Sequence, residues 1–226
     1  KMEKIRALAI DGPAGAGKST IAKAVSRELN WIYVDTGAMF RAIALFLTER
    51  GTDTDSEEAV AAALDGVDIA LRHENGEQRI FLNGRDVSAE IREEAVGNMA
   101  SRVSVYPAVR NKLLLLQRQL AAAQPVVMDG RDIGTVVLPN ADTKIYLTAS
   151  AEVRAKRRLR ELLLKGQSAE LAEVQRDIEA RDYRDMHRET APLRQAEDAV
   201  LLDSSDMSAA EVQQKILSIV RNSLER

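Results

Sequence analysis

Apolar residues along this chain come in short runs that end on glycine-rich or acidic turns. Ala7-Leu8-Ala9-Ile10 stops at Asp11-Gly12-Pro13, after which Ile21, Ala22, Val25 and Leu29 recur at helical spacing, the pattern of a strand, a glycine loop and a helix. A second run, Trp31 to Val34, ends on Asp35-Thr36-Gly37 and leads into a helical stretch stopped at Gly51. Repetition of this unit predicts parallel strands joined by crossover helices, with ligands beyond the carboxyl ends of the strands.

The pattern then changes. Thr54 to Glu57 fits a capping box, and Val67–Leu71 and Arg79–Leu82 read as strands around the polar turn His73-Glu74-Asn75-Gly76, with a second turn signal at Asn83-Gly84. Short hairpin strands cannot continue a parallel sheet without long crossovers, so residues 64–101 are expected to form a small, mostly antiparallel insert. After Pro107 comes a long helix, then the strand Val126-Val127-Met128 ending on Asp129-Gly130-Arg131-Asp132, and another strand at Lys144–Leu147. Two helices broken at Lys165-Gly166-Gln167, a strand at Ala199–Leu202 and a final helix opened by a capping box at Ser208–Glu211 complete the pattern. The predicted class is α/β, with a core of residues 1–63 and 102–226 interrupted by the insert.

Composition narrows the field. At 226 residues, 45% apolar and 30% charged, the chain suits one enlarged soluble domain. A net charge of −3 and 4% aromatic residues disfavour nucleic acid as a partner. Having no Cys removes thiolate nucleophiles and zinc-cysteine sites, and His73 and His187 are too few for a His-rich metal centre. Without an apolar run of membrane-spanning length or a signal-peptide pattern, the expected setting is the cytoplasm, away from any membrane.

The strongest chemical signal is GPAGAGKS at residues 12–19, which satisfies G-x-x-x-x-G-K-[ST] between a predicted strand and helix. Gly12, Pro13, Ala14, Gly15, Ala16 and Gly17 would wrap backbone N–H groups around phosphate oxygens, with Lys18 as a point charge. Ser19 can offer its hydroxyl to Mg²⁺, with Thr20 alongside. An ordinary glycine turn needs neither the lysine nor three glycines. Asp129, closing an apolar strand, stands where such proteins place the carboxylate for Mg²⁺.

A third feature is basic. Residues 154–194 hold 11 Lys and Arg against 8 Asp and Glu. Arg181, Asp185 and Arg188, spaced i, i+4, i+7, would share one helix face, and Arg154, Arg157, Arg158 and Arg160 precede Gly166 in a segment suited to a lid, at about 154–168. A salt-bridged solvent face is the plain alternative. Phosphoryl transfer favours the other reading, because planar arginine donors can meet the charge on a migrating phosphoryl group.

Four segments, GPAGAGKS, DTGAMFR (35–41), MDGRDIGT (128–135) and RDYRDMHR (181–188), together resemble the bacterial cytidylate kinases from about Ile5 to the C-terminal helix. The resemblance implies a P-loop kinase fold with a monophosphate-binding insert and a helical lid, a monomer moving the γ-phosphoryl of ATP to CMP or dCMP. Residues 12–20 would hold ATP and Mg²⁺ would sit on Ser19 and Asp129. On the acceptor side it implies Thr36 and Arg41 holding the nucleotide, Ser101, Arg110 and Asp132 reading the cytosine edge, and Arg131 gripping the acceptor phosphate. Arg181 and Asp185 would hold the sugar and Arg188 the acceptor phosphate; Lys18, Arg131, Arg158 and Arg188 make up the expected catalytic cations. Phe40 replaces the usual tyrosine and Thr36 the usual serine.

Two other readings compete. A kinase for UMP, AMP or a small alcohol would keep residues 12–20 and lose the cytosine-reading set. A regulatory nucleotide-binding module would bind ATP without turnover; a guanine-specific one lacks its N-K-x-D element, since Asn111-Lys112 is followed by Leu113-Leu114. Asp203-Ser204-Ser205 is a weak candidate for the adenine side.

Overall fold

A computed structural model describes residues 6–225. Residues 1–5 and 226 of the expected core, among them Ile5 where the family resemblance begins, lie outside the described residues. Five strands form a parallel sheet in the order β2-β6-β1-β7-β8: β1 (Ala7–Asp11), β2 (Ile32–Asp35), β6 (Val126–Gly130), β7 (Thr143–Thr148) and β8 (Val200–Asp203). β1 and β6 are buried throughout, because helices cover both faces of the sheet. On one face α1 (Lys18–Leu29) and α8 (Ala209–Leu224) pack Val25, Ile216 and Val220 against Ile10, Val127 and Leu147. On the other, α2 (Thr36–Glu49) and α5 (Pro107–Ala123) bring Met39, Ile43 and Leu113 onto Ala9, Val34 and Met128.

The second sheet is antiparallel, β3 (Ile69–Glu74), β4 (Glu77–Leu82) and β5 (Arg85–Asp86), preceded in the chain by α3 (Glu57–Ala63) and followed by α4 (Glu94–Val103). Its Ile80 and Leu82 join the same apolar cluster as α2, so the sheet is separate but its core is shared. Asn75 and Gly76, at φ 54° and 77°, make a two-residue turn whose twist suits the hairpin. His73 and Glu74 therefore belong to the strand and not, as expected, to the turn. The first cap also differs: Ser56, accepting from the Ala59 N–H, starts α3, not Thr54. At the far end Ser208 and Glu211 form the expected capping box of α8.

The hairpin protects the main sheet. β2 is an edge strand, and its outward backbone groups meet two cross-strand neighbours of the hairpin: the Asp35 N–H donates to Gln78 Oε1 at 2.9 Å, and His73 Nε2 lies 2.8 Å from the Tyr33 carbonyl. α6 (Ala151–Leu164) and α7 (Leu171–His187) form a helix pair with its own small core of Ala155, Leu162, Val174 and Ile178. Arg188 lies one residue past α7 in extended conformation, so the expected i+7 helical position is not formed. No helix among the described residues is long and apolar enough to cross a membrane.

Candidate active site

Residues 12–17 link the end of β1 to the start of α1 at the carboxyl edge of the sheet. A Cβ on Gly12 would fall 1.9 Å from the Leu147 carbonyl oxygen, so the loop leaves the sheet only through a residue without a side chain. Gly17 caps α1 in the left-handed region at φ 87°, and no side chain occupies the cap, leaving the first N–H groups of the helix open. The loop is braced from behind by buried Arg154 of α6, which donates to the Ala14 carbonyl at 2.9 Å and pairs with Asp182 of α7 at 2.7 Å. Arg154 is thus committed to the loop, and Arg157 to Ser204, where its guanidinium reaches the carbonyl at 2.8 Å.

Lys18 is buried and donates to the Pro13 carbonyl at 2.7 Å. Burial, reinforced by Arg131, pushes its ammonium well below the usual lysine range, while Asp129 pulls the other way. Asp129 is equally buried: Ser19 donates to its Oδ2 at 3.1 Å and the Tyr33 hydroxyl to its Oδ1 at 2.9 Å. Burial and the nearby Asp35 raise its carboxyl to about 7 against the opposing pull of Lys18 and these two hydrogen bonds. Hard oxygen donors on adjoining Ser19 and Asp129 fit Mg²⁺. Thr20 follows on the exposed side of α1.

Across the sheet edge lies a cluster of guanidinium groups. Asp132 pairs with Arg110 of α5 in a buried, very short contact; Arg110 also donates to the Ser104 carbonyl at 3.1 Å and lies over the Phe40 ring. Ser104 donates to the Ser101 carbonyl at 2.9 Å and accepts from Arg188 at 3.3 Å, so one network joins Asp132, Arg110, Ser101 and Arg188. Arg131 pairs with buried Asp185 at 3.0 Å, and Arg188 stands 3.8 Å from the same carboxylate. Burial alone would raise Asp185; Arg131, Arg181 and Arg188 outweigh it and hold the carboxyl below its ordinary value. Arg181 and Arg188 are each lowered to about 10, by burial first and then by neighbouring arginines, and Arg41 is lowered for the same reason. These cations crowd one another, and an anion entering among them would relieve that repulsion.

Three buried side-chain atoms in this cluster have no hydrogen-bond partner: Ser101 Oγ, Arg181 Nε and Arg188 Nη2. Thr135 Oγ1, Thr143 Oγ1 and Asp182 Oδ1 are likewise without one; for the three in the arginine cluster a polar ligand would supply the partners. Arg41 lies against Gly97 and donates to the Ile91 carbonyl at 3.3 Å. Thr36 is present but turned inward, its hydroxyl donating to the Asp129 carbonyl at 2.8 Å, so only its lone pairs remain for a ligand. Arg158 pairs with Glu161 one turn along its own helix and makes no direct pair within the cluster, although its charge bears on Arg41. His187 stacks on exposed Tyr183, and both line the same cavity as Ser101 and Arg188.

Two contributors escaped the sequence reading. Tyr33 lies in an apolar run with nothing to mark its hydroxyl as the partner of Asp129. Asp11 accepts from the Ile133 and Gly134 N–H groups at 2.8 and 2.7 Å; a carboxylate ending a fully buried strand was the available signal, since such a group needs partners.

The cytidylate kinase family model matches residues 8–222. A cytidylate kinase from Desulfitobacterium hafniense is 49% identical over 224 residues, covering 99% of this chain and 96% of that protein. One from Lactobacillus johnsonii is 45% identical over 214 residues, covering 95% and 93%. Among solved structures, an uncharacterized protein from Eubacterium ventriosum superposes with a TM-score of 0.56 at 10% identity over 97% of this chain and 99% of that one, a likeness of fold alone. With the family model spanning nearly the whole chain and relatives close to half identical end to end, the chain belongs to the cytidylate kinase family.

Proposed function

We propose that this chain transfers the γ-phosphoryl group of ATP to CMP or dCMP, with Mg²⁺, as a cytoplasmic monomer. The observation that carries the acceptor is the buried Arg110–Asp132 pair, tied through Ser104 to the backbone carbonyl of Ser101, whose own hydroxyl is buried without a partner. The exocyclic amine of cytosine is a donor, which ionised Asp132 accepts. Uracil presents a carbonyl at that place and leaves the carboxylate facing a lone pair. Arg181 and Asp185 would take the sugar, Arg41, Arg131 and Arg188 the acceptor phosphate, and Thr36 would accept from the nucleotide.

In the reaction an oxygen of the acceptor phosphate attacks the γ-phosphorus in line as the bond to the bridging oxygen of ADP breaks. An ionised phosphate needs no general base, and the chain has no Cys and no histidine placed as a nucleophile, so no phospho-enzyme is invoked. Residues 12–20 would cradle ATP, while Lys18, Arg131 and Arg188 neutralise charge that keeps two polyphosphates apart. Mg²⁺ on Ser19 and Asp129 would screen the phosphates. Among the described residues no group of three or more metal-binding side chains occurs, so its other ligands would be phosphate and water oxygens. The insert at 64–101 and the lid at about 154–168 would close over the nucleotides, bringing Arg158 inward.

The test is ADP release from ATP and Mg²⁺ with CMP, dCMP, UMP, AMP or no acceptor. Turnover confined to the cytidine nucleotides is expected. Turnover with another acceptor alone would discard the base-reading set, and ATP binding without acceptor-dependent turnover would discard the enzyme.

A further inference from the structure

Asp11 is a buried carboxylate for which the phosphoryl transfer above has no use. It closes β1 one residue before the phosphate loop, and in the sheet register it stands beside Gly130, just ahead of the turn that carries Arg131 and Asp132. That turn is unusual. After Asp132, at φ −141° and ψ 25°, the chain makes a single π-helical turn over Ile133–Val137, and the Val136 and Val137 N–H groups both donate to the Asp132 carbonyl at 2.9 and 3.1 Å. The first N–H groups of any helical turn have no partner within it. Here Ile133 and Gly134 are both buried, so their N–H groups need an acceptor from elsewhere. Asp11 supplies both its oxygens, at 2.8 and 2.7 Å, from 122 and 123 residues away.

Position 134 is shaped for this clamp. A Cβ on Gly134 would lie 3.4 Å from Asp11 Oδ2 and 3.1 Å from Lys144 Cδ, tight packing on both sides. Asp132 is therefore pinned from two directions, its carbonyl by the turn and the next two peptides by Asp11. Its side chain is left free to pair with Arg110.

We infer that Asp11 is a positioning residue for acceptor selectivity: it anchors the turn that bears Arg131 and Asp132 to the strand from which the phosphate loop springs. The inference rests on the CMP-kinase reading above. Its effect falls on the acceptor, because both of its hydrogen bonds go to the acceptor turn. A placement error of about 1 Å in a base-reading group is enough to erode discrimination.

The test is Asp11→Asn, nearly isosteric but able to accept from only one of the two N–H groups, with Asp11→Ser as second variant should the first not fold. Binding of CMP alone and of ATP alone is measured by calorimetry, and kcat/KM for CMP and UMP by ADP release. CMP affinity should fall about tenfold and the CMP-to-UMP ratio narrow by a similar factor, with ATP affinity within about twofold of the unmodified protein. Loss of ATP affinity with CMP binding intact would overturn the inference and assign Asp11 to the phosphate loop. Equal losses for both ligands, or no change in the selectivity ratio, would overturn it in favour of a purely structural role. Failure of the unmodified protein to bind CMP would overturn the underlying reading, and this inference with it.

Discussion

Single side chains in this protein do work that their immediate neighbours in sequence do not reveal. Lys18 is held over the phosphate loop by the Pro13 carbonyl and lies in a field shared by Arg131 and Asp129. Lys18→Met should lower kcat/KM by at least roughly a hundredfold while the protein stays folded, read from ADP release beside a melting curve. Asp11 gives a pH signature of its own. Burial raises its carboxyl to about 6, against the pull of two backbone N–H groups and with Asp132 adding to the rise. An unfolded aspartate ionises near 4, so between about 4 and 6 the native chain keeps a proton that the unfolded chain has lost, and this term's stabilisation falls as pH rises through that window. The Tm of the unmodified protein relative to Asp11→Asn should accordingly be largest at the acid end and level off above about pH 7. A difference that grows across the window would contradict the assignment. Lys18, Ser19 and Asp129 were readable from the sequence because a phosphate loop and a strand-closing carboxylate are local patterns. The partners of Asp11, Tyr33 and Arg154 were not, since each contact spans roughly a hundred residues or more and depends on strand order.

At the scale of elements, strands and helices followed from apolar spacing, and departures arose where a tertiary partner decided the local shape. The π-helical turn at Ile133–Val137 has no periodic signature because its N–H groups are satisfied from β1. Arg154 looked like one more lid cation, yet it bridges α6, the phosphate loop and α7. Breaking a buried pair of this kind leaves Asp182 charged and unpartnered, which costs about 3–5 kcal/mol. Arg154→Met should therefore lower Tm by roughly 10 °C and raise the KM for ATP, since the brace on Ala14 goes with it. A variant that melts normally with an unchanged ATP KM would show that Arg154 does not brace the loop. The insert hairpin has a measurable structural duty as well. Replacing both His73 and Gln78 by Ala exposes the outer edge of β2 and should cost about 1–2 kcal/mol in denaturant unfolding.

Over the whole molecule, the phosphate loop and the arginine cluster proposed to hold the two nucleotides lie at the carboxyl edge of one parallel sheet. The phosphate loop springs from β1, the Asp129–Asp132 segment from neighbouring β6, and α7 brings Arg181 and Asp185 over from the lid side. The fold class was legible from the sequence, whereas the shared core of insert and α2 was not, because apolar periodicity says which face is buried and not against what. Closure is the mechanical expectation: CMP with a non-hydrolysable ATP analogue should compact the protein in solution scattering and protect residues 154–168 from proteolysis. Whether Asp132, held by Arg110, makes cytosine the base that is read is decided by the ratio of kcat/KM for CMP to that for UMP, compared between the unmodified protein and Asp132→Ala. The ratio should favour CMP in the unmodified protein and collapse by at least roughly a hundredfold in the variant, mainly through lost activity on CMP. A ratio that survives the substitution would contradict this role of Asp132.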